Sequence, residues 1–139
     1  MEQNEIKGEQ PNNNSRELPL DIIYTLQGAD ATCCLAIQAG LKYGIQSDSY
    51  RLCSNVGKFS GRHEVSFIDN DYFNYNHQKH LEVAKELQPK YVTVRDVMTK
   101  KQCRKDQIEY YSLKQILEWA EELDQYAENV IIIPKYNCI

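Results

Sequence analysis

The chain has 139 residues, enough for one domain with a substantial core but too few for a closed eightfold β/α barrel, which needs about 200 or more. Its net charge of −4 indicates no nucleic-acid or membrane footprint over the whole chain, and no apolar run approaches the roughly 18 residues of a membrane helix. The acidic, Asn-rich start lacks the apolar segment of a signal peptide. We therefore predict a cytoplasmic protein whose five cysteines are reduced thiols.

The polar start of the chain predicts a disordered tail at residues 1–17, followed by a single domain at residues 18–139. Residues 21–26 are apolar and β-branched, which favours a short buried strand. A helix should follow, capped by Asp30 and ending at Gly40 or Gly44, because aspartate favours helix starts and glycine favours helix ends.

The next segment, residues 46–64, is too long for a structureless loop inside a compact domain, so it either carries a short strand near residues 50–53 or has a function. Residues 65–68 form the second predicted strand, which ends in Asp69-Asn70-Asp71. A helix is predicted from about Asn76 to Pro89. Its apolar side chains recur at helical spacing: Leu81, Ala84 and Leu87.

The third predicted strand, residues 91–94, ends in Arg95-Asp96, and a polar loop is predicted at residues 98–110. This loop holds a cluster of basic side chains, which could contact a nucleic-acid backbone or simply be solvated. The cluster consists of Lys100, Lys101, Arg104 and Lys105.

Ser112 and Gln115 have the spacing of a capping box, which predicts the start of the last helix. This helix should end near Asn129, and the fourth strand should occupy residues 130–133. Its apolar positions predict five buried side chains: Leu113, Ile116, Leu117, Ala120 and Leu123.

The elements alternate as strand and helix three times and close with a fourth strand. Strands that are apolar without alternation are buried on both faces, which is typical of parallel strands covered by helices. We therefore predict an α/β fold with four parallel strands alternating with helices, resembling the first half of a TIM barrel. Bare edges on the outer strands would invite a second copy or a second polypeptide that completes the barrel. The alternative is a small-molecule α/β enzyme with an open four-stranded sheet whose strand order reverses.

Ligands of parallel α/β folds bind beyond the carboxyl ends of the strands, where this chain places several polar clusters. Asp69 and Asp96 each follow an apolar strand. Two carboxylates there could act as acid, base or nucleophile at a glycosidic carbon, or bind the edge of a base. Capping of a turn is the alternative role for each. The other substrate-binding candidates at the strand ends are Gln27, Asn70, Asp71 and Lys135.

His77 and His80 lie three residues apart on one predicted helix, a spacing that could reach one metal ion. The sequence offers no evident third ligand, so we interpret both as polar surface histidines. We predict no metal site and no cofactor.

Three segments resemble successive strand ends in the tRNA-guanine transglycosylase superfamily, which includes enzymes that exchange bases in DNA. They are Phe67-Ile68-Asp69-Asn70-Asp71, Lys90-Tyr91-Val92-Thr93-Val94-Arg95-Asp96 and Val130-Ile131-Ile132-Ile133-Pro134-Lys135. The resemblance covers roughly residues 20–139. It implies a catalytic role for Asp69 at the reacting sugar and base, and binding of the base edge by Asp96.

The sequence also departs from that family. The family's Asp-Ser-Gly-Gly stretch is here Asp69-Asn70-Asp71-Tyr72, and the later strand with the nucleophile and the zinc site have no counterpart. The resemblance therefore implies a truncated or split protein that acts on, or binds, a base–sugar unit in nucleic acid. If active, it would be a glycosyltransferase or glycosylase. The alternative is a non-catalytic binding or interaction protein on the same barrel-like scaffold.

Overall fold

The computed structural model describes residues 20–25, 35–47 and 64–135. They form one parallel sheet of five strands in the order β1-β2-β3-β4-β5. The strands are β1 (Ile23–Thr25), β2 (Lys42–Gln46), β3 (Val65–Asp69), β4 (Tyr91–Thr93) and β5 (Asn129–Ile131). All four predicted strands are present, as β1, β3, β4 and β5, and the predicted α/β class with parallel strands is confirmed.

Three helices connect the later strands: α1 (His77–Leu87), α2 (Lys100–Asp106) and α3 (Leu113–Asp124). Residues 35–38 are also helical. None of the helices in the described ranges has the length and apolar character needed to cross a membrane. The predicted tail, the predicted helix cap Asp30 and the suggested strand near residues 50–53 lie outside the described residues.

Strand β2 was not predicted, because its sequence was assigned to the end of the preceding helix. That helix ends at Gly40, whose φ of 90° is the left-handed conformation that glycine adopts freely at helix ends. Gly44 is not a helix stop, as the alternative had it, but lies inside β2. A Cβ atom there would lie 2.9 Å from the Ile23 Cγ2 atom and 3.0 Å from atoms of Thr25 and Phe67, so the glycine permits close packing of three strands.

The strands follow one another across the sheet in sequence order. This is the arrangement of an arc of a β/α barrel, whereas a doubly wound sheet reverses its order at a switch point. The described part of the sheet contains no such reversal, so it does not match the open-sheet alternative and is compatible with the half-barrel expectation.

A core lies between the sheet and helices α1 and α3. Its fully buried apolar side chains come from β2, β3, the β4 segment and both helices: Tyr43, Ile45, Val65, Ile68, Val92, Val94, Val83, Ala84, Ile116, Ala120 and Leu123. Leu113 and Leu117, which were predicted to be buried, are 43% and 42% exposed. The buried stripe of α3 recurs at residues 116, 120 and 123, which leaves these two leucines at its flank.

Side-chain caps define the starts of all three helices. The side chains of Asn76 and Ser112 accept hydrogen bonds from the backbone N–H groups of Lys79 and Gln115, which confirms both predicted starts. The Gln115 side chain bonds Glu118 instead of reaching back, so only half of the predicted capping box forms. Helix α3 ends at Asp124, earlier than predicted.

The predicted polar loop at residues 98–110 contains helix α2. Thr99 caps it by accepting from the Gln102 N–H group at 3.2 Å, and the buried Cys103 side chain anchors it to the domain. The many charged residues of this segment favoured the prediction of a loop rather than a helix. Thr99 and Gln102 nevertheless have the same three-residue spacing as the cap formed by Ser112 and Gln115.

Candidate functional site

The carboxyl edge of the sheet brings together the ends of β3, β4 and β5. Asp69 is the last residue of β3, and Thr93 is the last residue of β4. Beyond β4 and β5 the two chain segments remain paired, because the Val97 N–H group donates to the Ile133 carbonyl at 2.9 Å and the Lys135 N–H group donates to the Val97 carbonyl at 2.9 Å. Asp96 and Lys135 therefore lie side by side, as the predicted parallel sheet requires.

Asn70 connects the two carboxylates of this edge. Its buried Nδ2 atom lies within donor distance of Asp96 Oδ1 (3.1 Å), the Val94 carbonyl (3.0 Å) and Thr93 Oγ1 (3.1 Å). Its backbone N–H group donates to Thr93 Oγ1 at 2.8 Å and to Asp69 Oδ1 at 3.0 Å. Asn70, predicted to bind substrate, is thus bonded on its donor side to the protein itself, and it sets the relative positions of Asp69 and Asp96.

Asp69 is anchored through one of its two carboxylate oxygens. The Thr93 hydroxyl and the Asn70 N–H group both donate to Oδ1, each at 3.0 Å. Within the described ranges no hydrogen bond involves Oδ2. Burial raises the pKa of Asp69 above its usual value; the bonds from Thr93 and Asn70 oppose this rise, and the charge of Asp96 adds to it. Asp69 is therefore a positioned carboxyl group with one oxygen that no described residue bonds and with an increased tendency to hold a proton.

Asp96 is only 4% exposed and forms an ion pair with Lys135, whose Nζ atom lies 2.8 Å from Asp96 Oδ2. With Asn70 on its other oxygen, Asp96 has both oxygens bound within the protein. The Lys135 Nζ atom also lies 4.4 Å from the centroid of the Tyr72 ring, and the Tyr72 hydroxyl donates to Asp106 of α2 at 2.6 Å. Through Tyr72, the Asp96–Lys135 ion pair at the carboxyl edge of the sheet is therefore connected to helix α2.

Asp71, a substrate-binding candidate, caps a turn, which is the alternative role that the sequence left open for Asp69 and Asp96. Its Oδ1 atom accepts from the backbone N–H groups of Phe73 (3.0 Å) and Asn74 (3.2 Å). It also borders a shallow cleft of about 230 Å³ lined by Ser47, Asp71, Asn74, Asn76 and Lys79. The remaining substrate-binding candidate, Gln27, lies outside the described residues.

The four basic candidates lie on helix α2, and all are exposed: Lys100, Lys101, Arg104 and Lys105. Their spacing of one and four residues places them on one side of the helix, which we call the basic face. The opposite side carries Cys103, buried in the domain, and Asp106, which binds the Tyr72 hydroxyl. The basic face is therefore solvent-facing on a helix that borders the carboxyl edge.

His80 is not a surface residue, and its predicted exposure is wrong. It is buried, and its Nε2 atom lies 2.6 Å from the carbonyl oxygen of Thr93. Burial lowers the pKa of His80 to about 4, so the ring is neutral and donates to that carbonyl from Nε2. On α1, His80 faces β4, where its hydrogen bond holds the backbone of Thr93. Thr93 in turn donates to Asp69 through its hydroxyl.

His77 has a different environment. Its ring stacks on Trp119 with centroids 4.7 Å apart, and its nitrogens bond Glu122 and the Tyr75 hydroxyl at 3.0 and 2.8 Å. The two histidines therefore bind separate partners rather than converging. The described residues contain no group of three metal-ligating side chains.

Thr93 and Tyr72 belong to this site, but sequence reasoning did not identify either. Thr93 is the one polar residue in the apolar run 91–94, a signal that could have indicated a hydroxyl facing a polar neighbour at the strand end. Tyr72 gave no comparable signal, because its contacts with Lys135 and Asp106 depend on segments far away in the chain.

A protein-family model described as a family of unknown function (DUF6610) matches residues 36–139, a range that contains Asp69, Asp96 and Lys135. No curated protein and no solved structure matches the chain. The family description names no activity, and it has no bearing on the resemblance to transglycosylases. The match covers most of the chain, and the protein therefore belongs to the DUF6610 family.

Proposed function

We propose that this protein acts on a base–sugar unit of nucleic acid at the carboxyl edge of its sheet, with Asp69 as the group that transfers a proton. The observation that carries the proposal is the state of the Asp69 carboxyl group. One oxygen is anchored by Thr93 and Asn70, the other lacks a hydrogen-bond partner in the described residues, and burial raises its pKa. A carboxyl group in this state exchanges protons closer to neutral pH than an ordinary aspartate does.

The proposed reaction breaks the glycosidic bond between C1′ of the sugar and a ring nitrogen of the base. The bonding electron pair leaves on that nitrogen while Asp69 donates its proton to the departing base. Water, or an incoming base, then forms the new bond at C1′ and returns a proton to the Asp69 carboxylate. This chemistry corresponds to the glycosylase or glycosyltransferase activity that the resemblance to tRNA-guanine transglycosylases implies.

The other site residues have distinct roles in this proposal. Lys135 is half-buried, and its ammonium group lies at the edge between Asp96 and the Tyr72 ring, where it could also bind an oxygen of the substrate. Asn70 and Asp96 are positioning residues, because they hold Asp69 and Lys135 in place. The basic face of α2 would contact the backbone phosphates of the nucleic acid.

The catalytic role of Asp69 can be tested with the full chain, alone and together with the products of neighbouring genes. The substrates are tRNA and DNA with radiolabelled guanine, and released or exchanged base is counted. Asp69→Asn should lower the rate by about 100-fold or more, because it removes the transferable proton. Asp124→Asn, on an exposed residue at the end of α3, should leave the rate unchanged. Equal rates in the wild type and Asp69→Asn would refute the role of Asp69.

The role of the basic face can be tested by the salt dependence of binding to an oligonucleotide. The double variant Lys101→Gln/Lys105→Gln should reduce the slope of log K against log salt by about 0.9 for each phosphate that the protein no longer neutralises. Lys85→Gln/Lys114→Gln removes the same charge from exposed positions on α1 and α3, so it is the matched control. Equal slopes in the two double variants would mean that only net charge matters.

A second candidate function is non-catalytic binding on the same scaffold. It is favoured by one specific observation: both oxygens of Asp96 are bound within the protein, so among the described residues Asp69 is the one carboxylate of the pair with an unbonded oxygen. Under this alternative the wild type binds the oligonucleotide, the basic-face variant weakens binding, and no base is released or exchanged under any of the conditions above.

A further inference from the structure

Arg95 is a buried cation that has no carboxylate partner among the residues the structure describes. Its side chain is only 2% exposed. Its Nη2 atom donates to the Glu109 carbonyl across a long 3.4 Å, its Nη1 atom lies 3.6 Å from the sulfur of Met98, and its Cζ atom lies 5.8 Å from the Tyr72 ring centroid. None of the carboxylates in the described ranges forms an ion pair with it. A guanidinium group has five N–H donors, and burying its charge unpaired is unfavourable.

Arg95 is one of the residues that line a cleft of about 180 Å³, which shares Tyr72 with the candidate site but does not include Asp69. Most of the remaining wall is aromatic or polar: Tyr72, Phe73, Asn74, Tyr75, Ile108, Glu109 and Tyr111. Clefts that enclose whole drug-sized ligands measure about 300 Å³ or more, so this one suits a single chemical group. The combination of a buried cation and a small cleft indicates a site for one anionic group.

One of the aromatic residues at this cleft, Phe73, offers a surface for the rest of such a ligand. Phe73 lines the cleft and is 67% exposed. It meets the Tyr72 ring edge-on, with centroids 5.0 Å apart and planes at 85°, which holds it in place while leaving most of it in solvent. Exposed aromatic rings bind bases by stacking, and arginine binds phosphate through paired N–H donors.

We propose that the Arg95 cleft binds the phosphate group of a nucleotide, with the base stacked on Phe73. Arg95 donates to the phosphate oxygens. Glu109 also lines the cleft, and its carboxylate, which accepts from the Tyr111 hydroxyl at 2.9 Å, is the negative charge that would oppose a bound phosphate. This proposal does not depend on base release, since phosphate would bind whether or not Asp69 breaks a glycosidic bond.

The test measures binding to the full chain by calorimetry, with inorganic phosphate, adenosine 5′-monophosphate and adenosine as probes. The monophosphate should bind at least about 10-fold tighter than adenosine, and Arg95→Met should remove that difference, because it deletes a hydrogen bond to a charged group. Phe73→Ala should weaken monophosphate binding about five-fold or more and leave inorganic phosphate unchanged, because only the base stacks. Lys114→Met, on α3 with a side chain 88% exposed, is the control and should change nothing.

Two further measurements keep the test decisive. If Arg95→Met does not fold, Glu109→Gln replaces it, and this variant should tighten phosphate binding, because it removes a like charge from the cleft. Hexathymidylate with and without a 5′-phosphate identifies the source of the bound phosphate. Preference for the phosphorylated strand indicates a terminal phosphate or a free nucleotide. Equal binding of both strands that still requires Phe73 indicates a phosphate of the internal backbone. The proposal is overturned if the monophosphate binds no tighter than adenosine, or if neither Phe73→Ala nor Glu109→Gln changes binding.

Discussion

Asn70 fixes the relative positions of the two carboxylates of the candidate site through hydrogen bonds to Asp69, Thr93 and Asp96. Removing its side chain should leave the buried Asp96 oxygen without this donor. We therefore expect Asn70→Ala to lower the free energy of unfolding by about 2–3 kcal/mol, since an unsatisfied buried polar group carries a large penalty. Urea denaturation followed by circular dichroism measures this. The exposed Asn74→Ala is the matched control, and a loss of similar size in both variants would contradict the prediction.

His80 should make the protein sensitive to acid. Burial lowers its pKa from 6.5 to about 4 in the folded state, so the fold binds fewer protons here than the unfolded chain does. The contribution of His80 to stability is therefore fully present above pH 6.5 and is lost as the pH falls towards 4. We expect a loss on the order of 3 kcal/mol over this window.

Unfolding curves of the wild type and His80→Gln between pH 7 and pH 4 test this sensitivity. We expect the variant to be less stable at pH 7, because it alters the hydrogen bond to the Thr93 carbonyl. Its stability should, however, change less with pH than that of the wild type. Burial also lowers the pKa of His77, so His77→Gln serves as a comparison that retains the His80 effect. Parallel curves for the wild type and His80→Gln would show that His80 is not responsible.

Strand β2 depends on a glycine whose missing side chain lets β1 and β3 approach. A Cβ atom at Gly44 would lie 2.9–3.0 Å from side-chain atoms of Ile23, Thr25 and Phe67. We expect Gly44→Ala to lower the free energy of unfolding by about 1–3 kcal/mol through overpacking, as measured by chemical denaturation. Gly40→Asn, at a left-handed position that asparagine tolerates, should cost less. A neutral Gly44→Ala would mean that the three strands separate more easily than their packing indicates.

At the scale of elements, local patterns predicted most boundaries. The caps at Asn76 and Ser112 and the apolar runs of β3 and β4 are short-range signals, and both caps and both strands are present. Strand β2 and helix α2 were missed for opposite reasons. Gly44 lies in the middle of β2 and Gly40 lies two residues before its start, which suggested a helix end for this segment. Helix α2 has so many charged residues that its cap was overlooked.

At the scale of the molecule, the described residues form a parallel sheet whose last strand, β5, is followed by the exposed Ile132. Bare sheet edges favour association with a second copy or a second polypeptide, and for the chain alone we predict a dimer at micromolar concentration by light scattering. Ile132→Lys should yield a monomer if the β5 edge is the contact. Leu113→Lys is the matched control, because this leucine is exposed to a similar degree on α3 (43% against 39%). A monomeric wild type would contradict the prediction.

The sequence by itself determined the alternation of strands and helices, the parallel α/β class and the placement of Asp69 and Asp96 at strand ends, because apolar runs, caps and strand polarity are local or follow from chain order. Tertiary structure decided which bonds these aspartates make. The Asp96–Lys135 ion pair, the Thr93–Asp69 bond, the burial of His80 and the cleft at Arg95 all join segments distant in sequence. Their geometry depends on strand register and helix packing, which no local periodicity encodes.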